Sequence, residues 1–140
     1  MDYSPLTRVF CIQYTVYCMN KKITSFTDLV AWKKSHLFAL EIYKITKKFP
    51  NEEKYGLVDQ LRRASISITS NLAEGFSRKT SKEKIRFYYI AFGSLLEIQS
   101  QLLISKDLGY FKDAKNVFIK IIEIKKLISG VIKSAKTWRS

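Results

Sequence analysis

The residues best suited to chemistry form a polar row at helical spacing in the middle of the sequence. Arg63, Ser67, Asn71 and Glu74 follow one another at intervals of four, four and three residues, so they share one face of a helix. Such a row could bind a ligand or form a polar contact between subunits. It could also be a buried hydrogen-bond network that fixes how helices pair, and we favour the network or its intersubunit form.

The next predicted helix offers a matching polar patch, with Gly93, Ser94 and Glu97 in its middle. Glycine in a helix interior costs about 1 kcal/mol relative to alanine. Gly93 therefore predicts either a close approach of two helices or a polar contact that needs space. We group Ser94 and Glu97 with the polar row as one structural network or subunit interface.

The surroundings of these residues argue against catalysis. Ser67 has no histidine in its pattern, and His36, the only histidine, stands alone on another helix. Glu74 and Glu97 could form an acid–base pair, but no pocket-forming loop accompanies them. The two cysteines have a spacing that matches no redox or zinc motif. We therefore expect no catalytic residue, no metal site and no cofactor, and we do not expect an enzyme.

Charge and composition define the broad class of protein. The 140 residues include 25 Lys and Arg against 12 Asp and Glu, which gives a net charge of +13. Such an excess favours an anionic partner, usually nucleic acid and less often an acidic membrane surface. Apolar residues make up 46%, which excludes low-hydrophobicity disorder, and five Gly and two Pro are too few for a sandwich or a barrel. The composition indicates a single basic, helical binding domain.

Apolar periodicity predicts four helices and no strand. The first runs from about Asp28 to Lys48, the second from Asn51 to Gly75, the third from a Thr80–Glu83 capping box to Leu108–Gly109, and the fourth from about Asp113 to near the C-terminus. Short loops make neighbouring helices antiparallel, so we predict an all-α, up-down-up-down four-helix bundle.

The apolar rows predict which side of each helix faces the core. In the first helix the row is Leu29, Trp32, Ala39, Leu40 and Tyr43, in the second Leu57, Leu61, Ala64, Ile68 and Leu72, and in the third Ile85, Tyr89, Phe92, Leu96 and Leu103. The fourth helix carries a heptad row of Val117, Ile121, Ile124, Ile128, Val131, Ala135 and Trp138.

The fourth helix has more apolar surface than its heptad row requires. Phe118, Ile122, Leu127 and Ile132 widen the row. A corner helix of a monomeric bundle should be polar on its outer side. The extra apolar surface therefore favours self-association, although partly exposed isoleucines are also common in monomers.

The predicted topology gathers positive charge at one end of the bundle. The start of the first helix, the connection between the second and third helices and the end of the fourth helix share that end. Its field would attract phosphate backbones and make binding sensitive to salt, although a lysine-rich surface can also serve solubility alone. No zinc finger, RNA-recognition signature or clear helix-turn-helix is present, so we expect no base-specific readout. The candidate nucleic-acid-binding residues are Lys33, Lys34, Arg78, Lys79, Lys82, Lys84, Arg86, Lys133, Lys136 and Arg139.

Residues 1–22 differ in composition from the rest. The stretch Val9–Cys18 is apolar, aromatic and β-branched, yet it is shorter than the ~20 residues that span a bilayer. A signal-peptide core is the alternative, but no suitable cleavage site follows. We favour an extension upstream of a true start at Met19, with the bundle domain at 23–140. Without the two cysteines that domain needs no oxidising compartment, so we expect a cytoplasmic protein without membrane association.

Several motifs occur in an order that resembles a known family. They are Phe26–Lys34, Phe49–Leu57, Gln60–Ala64, Ser67–Ile68, Asn71–Gly75 and Ala91–Glu97. This order is similar to that of the bacterial four-helix-bundle proteins known as 23S rRNA intervening-sequence proteins, and to the accessory variability protein of diversity-generating retroelements. The resemblance covers about Ser25 to Val131 and leaves out the first 18 residues.

The resemblance implies a ring-like homopentamer of four-helix bundles with no known enzymatic activity. It also implies that the retroelement relatives bind nucleic acid and a reverse transcriptase through a basic surface. Our first hypothesis is therefore an oligomeric accessory protein that binds the RNA or DNA backbone. The alternative is a protein-interaction scaffold, for example a partner of a reverse transcriptase, with no direct nucleic-acid role.

Overall fold

Four α-helices account for most of residues 22–138, which are the part of the chain that the computed structural model describes. They are α1 (Val30–Thr46), α2 (Leu57–Ser77), α3 (Ser81–Asp107) and α4 (Ala114–Thr137). Consecutive helices pack against each other, and α4 also packs on α1. No strand occurs within residues 22–138. The predicted all-α, antiparallel four-helix bundle is confirmed.

The first two helices begin later than predicted, because a short 3-10 turn precedes each of them. Ser25 and Asp28 form a capping box around the turn Phe26–Asp28, and the extended backbone of Leu29 delays α1 to Val30. A second turn, Asn51–Glu53, precedes α2.

Glu52 and Glu53 lie in this second turn and not within α2. The Leu57 amide donates to the Glu53 carboxylate at 3.1 Å. Glu53 therefore caps α2 from outside the helix.

The boundaries of α3 follow the predicted signals. The Thr80 hydroxyl accepts from the Glu83 amide at 3.3 Å, which satisfies one of the unpaired N–H groups at the helix start. After the last residue, Asp107, the chain turns through Gly109 at φ +77°, a conformation that glycine adopts without steric cost.

Two glycines within the helices, Gly75 and Gly93, have roles that differ from those predicted. Gly75 does not end α2, which continues to Ser77. It is buried where α2 meets α3, and a Cβ added there would lie 2.6 Å from the Tyr88 ring. A Cβ at Gly93 would meet nothing within 4 Å. The close approach predicted at Gly93 is therefore wrong, and it occurs at Gly75.

The core of the bundle confirms the predicted row of α2 but those of α1 and α3 only in part: Ala39 is buried, and Trp32, Ile85 and Phe92 are partly buried against the core. Leu61, Ala64, Ile68 and Leu72 are buried. In α1 the buried residues are Ala31, Ser35, Phe38, Ala39, Ile42 and Thr46, and in α3 they are Tyr88, Ala91, Ser94, Leu95, Ile98, Gln101, Leu102 and Ser105.

The prediction for α3 chose the wrong one of two adjacent apolar rows. Tyr89, Leu96 and Leu103 are exposed, whereas Tyr88, Leu95 and Leu102, one residue earlier, are buried. Two such rows have the same helical period, so periodicity alone does not distinguish them. Leu40 and Tyr43 of α1 are exposed for the same reason.

The heptad row of α4 is confirmed through Ile128 and only in part beyond it. Val117, Ile121, Ile124 and Ile128 are buried, as predicted, and so is Ala135, but between them Ile132 is buried rather than Val131. A helix with 3.6 residues per turn drifts away from a 3.5-residue repeat, which explains the change. Trp138, the last member of the predicted row, is 42% exposed.

Candidate nucleic-acid interface

Two contacts bring the α2–α3 connection and the end of α4 to the same end of the bundle. The Ser81 hydroxyl donates to the Ala135 carbonyl at 2.5 Å. The Lys84 ammonium lies 4.8 Å from the centre of the Trp138 ring. We call this end the basic pole and define it by the cations Arg78, Lys79, Lys82, Lys84, Arg86, Lys133 and Lys136.

Charge is distributed unequally between the two ends. Between positions 78 and 86 the chain has five cations and one carboxylate, Glu83. At the opposite end the connections mix both signs: Lys47, Lys48 and Lys54 with Glu52 and Glu53, and Lys106, Lys112 and Lys115 with Asp107 and Asp113. The field of the bundle is therefore most positive at the basic pole.

Most cations of the basic pole are open to solvent. Five of them are exposed and form no ion pair within residues 22–138: Lys79, Lys82, Arg86, Lys133 and Lys136. Such side chains can exchange water and counterions for phosphate oxygens.

Lys84 differs from the other cations of the basic pole. Its ammonium donates to the Phe76 carbonyl at 2.7 Å and to the Gly75 carbonyl at 3.4 Å. These carbonyls lie at the C-terminal end of α2, where a cation is favourable. Burial lowers the pKa of Lys84 below its usual value. Lys84 therefore joins α3 to the end of α2 and is less available for phosphate than its neighbours.

Arg78 is also partly engaged. Its guanidinium pairs with Glu74 one turn earlier and lies 4.8 Å from the centre of the Phe87 ring. The side chain keeps 39% of its surface exposed. Arg78 thus presents a planar, fixed cation, whereas the neighbouring lysines carry their ammonium groups on flexible side chains.

Two predicted ligands lie away from the basic pole, and a third lies outside the described residues. Lys34 pairs with Glu123 at 3.1 Å, near the middle of α4. Helix α1 therefore begins beside the centre of α4, and Lys33 lies there too. Arg139 falls beyond residue 138, and the predicted extension and Met19 fall before residue 22.

A shallow recess lies where α1 meets α4. The Lys34–Glu123 pair and a second pair, Lys120–Glu41 at 2.7 Å, stand beside it. The recess holds about 150 Å³, and its apolar lining comes from Leu37, Phe38 and Ile124.

Part of the predicted polar row forms a hydrogen-bond network between α2 and α3. The Ser67 and Ser94 hydroxyls lie 2.8 Å apart. The Asn71 amide donates to the Ser67 carbonyl at 2.8 Å and to its hydroxyl at 3.1 Å. The structure therefore brings three of the six predicted residues into direct contact.

The other three residues lie outside this network. The Arg63 side chain is 80% exposed and lies 3.8 Å from Asp59. Glu74 pairs with Arg78, as described above. The Glu97 carboxylate accepts from Gln101 at 3.1 Å.

Two glutamines that the predicted polar row does not include also join α2 and α3. Gln101 also donates to Gln60 at 3.0 Å, and it is buried. The sequence signal for Gln101 is its position one helical turn after Glu97.

The structure does not bring the two candidate acid–base carboxylates together. Because Ser67 is level with Ser94, Glu74 lies level with the first half of α3, about ten residues from Glu97. At 1.5 Å per residue this separates them by about 15 Å along the bundle. No group of three or more His, Cys, Asp or Glu residues within the described range could hold a metal ion.

No helix among residues 22–138 is long and apolar enough to cross a membrane.

The family model of the 23S rRNA-intervening sequence protein matches residues 27–130. The chain belongs to this family. The resemblance inferred from the sequence motifs is thereby confirmed, and the matched range contains α1, α2, α3 and most of α4.

A solved structure with the same fold supports this family assignment. It is the 1.70 Å crystal structure of a protein with unknown function from the S23 ribosomal protein family of Bacteroides thetaiotaomicron. The two share 26% identity and a TM-score of 0.68, and the match covers 74% of this chain and 96% of that one. No curated protein matches the chain.

Proposed function

We propose that this intervening-sequence family protein binds nucleic acid through phosphate contacts at the basic pole, without reading bases. One observation carries the proposal: five cations that are exposed and form no ion pair within residues 22–138 lie on the α2–α3 connection, the start of α3 and the end of α4, and these segments meet where Ser81 contacts Ala135. The name of the family points to RNA as the first ligand to test.

Physical chemistry gives this interface a defined signature. Each phosphate that a lysine or arginine neutralises releases condensed counterions, so affinity falls as salt rises. With about five such contacts to a single strand, the logarithm of the binding constant should fall with log salt at a slope of about −3 to −4. The slope should not depend on the base sequence, because contacts to phosphate carry no sequence information.

Charge reversal at matched positions tests the proposal. The variant Lys79→Glu/Lys82→Glu/Lys136→Glu changes three exposed cations of the basic pole. The control Lys48→Glu/Lys112→Glu/Lys115→Glu makes the same change in net charge at the opposite end. RNA binding is measured between 50 and 200 mM salt by fluorescence anisotropy.

We expect the first variant to bind at least tenfold more weakly with a shallower salt slope, and the control to bind nearly as wild type. Equal loss in both variants would mean that net charge alone attracts RNA and that the basic pole is not the interface. Circular dichroism is the control that checks whether both variants remain helical. A cytoplasmic location fits this function.

We also propose that the chain self-associates, as the homopentamer implied by the family resemblance, through an apolar strip on α3 and α4. Tyr89, Leu96 and Leu103 of α3 and Ile122 of α4 are exposed. The Lys125 ammonium donates to Gln99 at 3.3 Å, and this register places Ile122 within about one residue of the level of Leu103 and about two turns from the level of Leu96. Contiguous exposed apolar surface of this kind marks interaction sites.

The oligomer mass separates self-association from the scaffold alternative. We expect light scattering to give five times the chain mass, and Leu96→Lys/Ile122→Lys to shift it towards one. The control Leu37→Lys, on the exposed side of α1, should leave the mass unchanged. A monomeric wild type that recovers a reverse transcriptase or another protein after nuclease treatment would instead support the scaffold.

A further inference from the structure

An exposed tryptophan lies among the cations of the basic pole. Trp138 follows the last residue of α4 and keeps 42% of its surface exposed. It lies outside residues 27–130, which the family model matches, so it is a feature of this chain rather than of that model. Phosphate binding by cations does not require an indole ring.

The Trp138 ring has a fixed neighbour. Lys84 lies 4.8 Å from the ring centre, and its ammonium is held by the Phe76 and Gly75 carbonyls. The hydrogen bond from Ser81 to Ala135 anchors the preceding turn of α4. The indole thus contacts the bundle through Lys84 and is partly open to solvent.

A second flat group lies on the same end. The Arg78 guanidinium lies over the Phe87 ring, 4.8 Å from the ring centre, and the Arg78 side chain is 39% exposed. Planar guanidinium and aromatic groups are the surfaces on which unpaired bases stack. Exposed Lys79, Lys82 and Lys136 supply phosphate contacts close by.

We propose that the basic pole prefers single-stranded nucleic acid to duplex, with a base stacked on Trp138. This inference rests on the proposed function and names its ligand class. In a duplex the faces of the bases are covered by their neighbours, and only phosphates would reach the basic pole. A single strand offers both its phosphates and its base faces.

The first experiment measures affinity and fluorescence together. Trp32, the other tryptophan, is replaced by Phe so that Trp138 is the only indole reporter. A 12-nucleotide single-stranded RNA and the duplex of the same sequence are titrated at one salt concentration. We expect tighter binding of the single strand and quenching of Trp138 by the single strand but little by the duplex.

The second experiment separates stacking from simple coverage of the bundle end. Trp138→Leu keeps an apolar group there but removes the aromatic face, whereas Trp138→Phe keeps a smaller one. We expect Trp138→Leu to weaken single-strand binding at least about fivefold and leave duplex binding unchanged, and Trp138→Phe to lose less.

Tyr55 provides a matched control at the opposite end. It is 86% exposed and has the Lys54 ammonium 5.3 Å from its ring centre. Tyr55→Leu should leave the affinity for both RNAs unchanged. If Tyr55→Leu weakens binding as much as Trp138→Leu, stacking is not localised at the basic pole and the inference fails.

The outcomes distinguish this inference from the proposed function. Equal affinity for both RNAs, with no quenching, overturns the single-strand inference and leaves phosphate binding intact. Absence of binding to either RNA at 50 mM salt overturns both. Should Trp138→Leu lose helicity by circular dichroism, the quenching by single strand against duplex decides.

Discussion

Gly75 of α2 packs directly against the ring of Tyr88 in α3. A Cβ at position 75 would lie 2.6 Å from a ring carbon, closer than real Cβ contacts, and Tyr88 is itself 3% exposed. The absent side chain therefore sets the distance between α2 and α3 near the basic pole. Any atom added there must displace either the ring or a helix.

Alanine at Gly75 and alanine at Gly93 should have opposite effects. Gly75→Ala forces the Tyr88 ring to move and should lower the free energy of unfolding by about 1–3 kcal/mol. Gly93→Ala adds a methyl group at an exposed position of α3, where nothing lies within 4 Å. It should leave the free energy of unfolding unchanged or raise it by about 0.5–1 kcal/mol. Urea unfolding of both variants checks this. A stabilised Gly75→Ala protein would contradict the packing.

Tyr88 should make the bundle sensitive to alkaline pH. Burial raises the pKa of Tyr88 from 10.0 to about 12. Because the folded-state pKa exceeds the unfolded value, its contribution is fully present below pH 10 and is lost as pH rises through 12. We expect a loss of about 1 kcal/mol between pH 9 and 11, measured by urea unfolding.

The variant Tyr88→Phe is the control for this pH dependence. It keeps the ring and removes the hydroxyl, so its loss of stability over the same pH interval should be smaller than in the wild type. An identical pH profile in the two proteins would assign the alkaline loss to other groups, such as Tyr110, whose pKa is raised by burial and by its hydrogen bond to Glu53.

The serine pair between α2 and α3 should show energetic coupling. Ser67→Ala and Ser94→Ala each remove one hydroxyl of the 2.8 Å contact. A double-mutant cycle should give a coupling of about 0.5–1.5 kcal/mol. Additive losses would mean that each hydroxyl is satisfied independently, for example Ser94 by the Ile90 carbonyl at 3.1 Å.

Lys84 and Lys79 should separate stability from binding. Lys84→Met removes a cation from the C-terminal carbonyls of α2 and should cost about 1 kcal/mol of stability while changing the salt slope of RNA binding little. Lys79→Met should leave stability within about 0.5 kcal/mol and reduce the salt slope by about one. Interchanged results would contradict our placement of these two side chains.

Local signals predicted the helix boundaries best where one residue determines the backbone. Thr80 needs only the Glu83 amide as a partner, and Gly109 needs only its missing Cβ. The start of α1 was harder, because Ser25 and Asp28 form their capping box around a 3-10 turn rather than around the helix itself.

The inward side of α3 was not determined by its own sequence. Leu95 and Leu96 are equally apolar, and only packing against α2 and α4 decides that Leu95 is buried. The serines and glutamine facing α2 carry that information, but their partners lie about 30–40 residues away in the sequence.

Topology predicted most of the candidate interface, but relative helix length limited the rest. The cations from 78 to 86 and those at the end of α4 meet as predicted, because one turn and one helix end place them. Lys34 lies elsewhere because α1, with 17 residues, is shorter than α4, with 24. The engagement of Lys84 depends on carbonyls of another helix, which composition does not reveal.

The two ion pairs beside the recess make the contact between α1 and α4 sensitive to ionic strength. Lys34–Glu123 and Lys120–Glu41 are partly exposed, so dissolved ions screen them, whereas hydroxyl contacts between α2 and α3 are indifferent to ionic strength. A buffer concentrated enough to release RNA would therefore also weaken these two ion pairs between α1 and α4. Amide exchange in α1, followed without RNA, would separate those two responses.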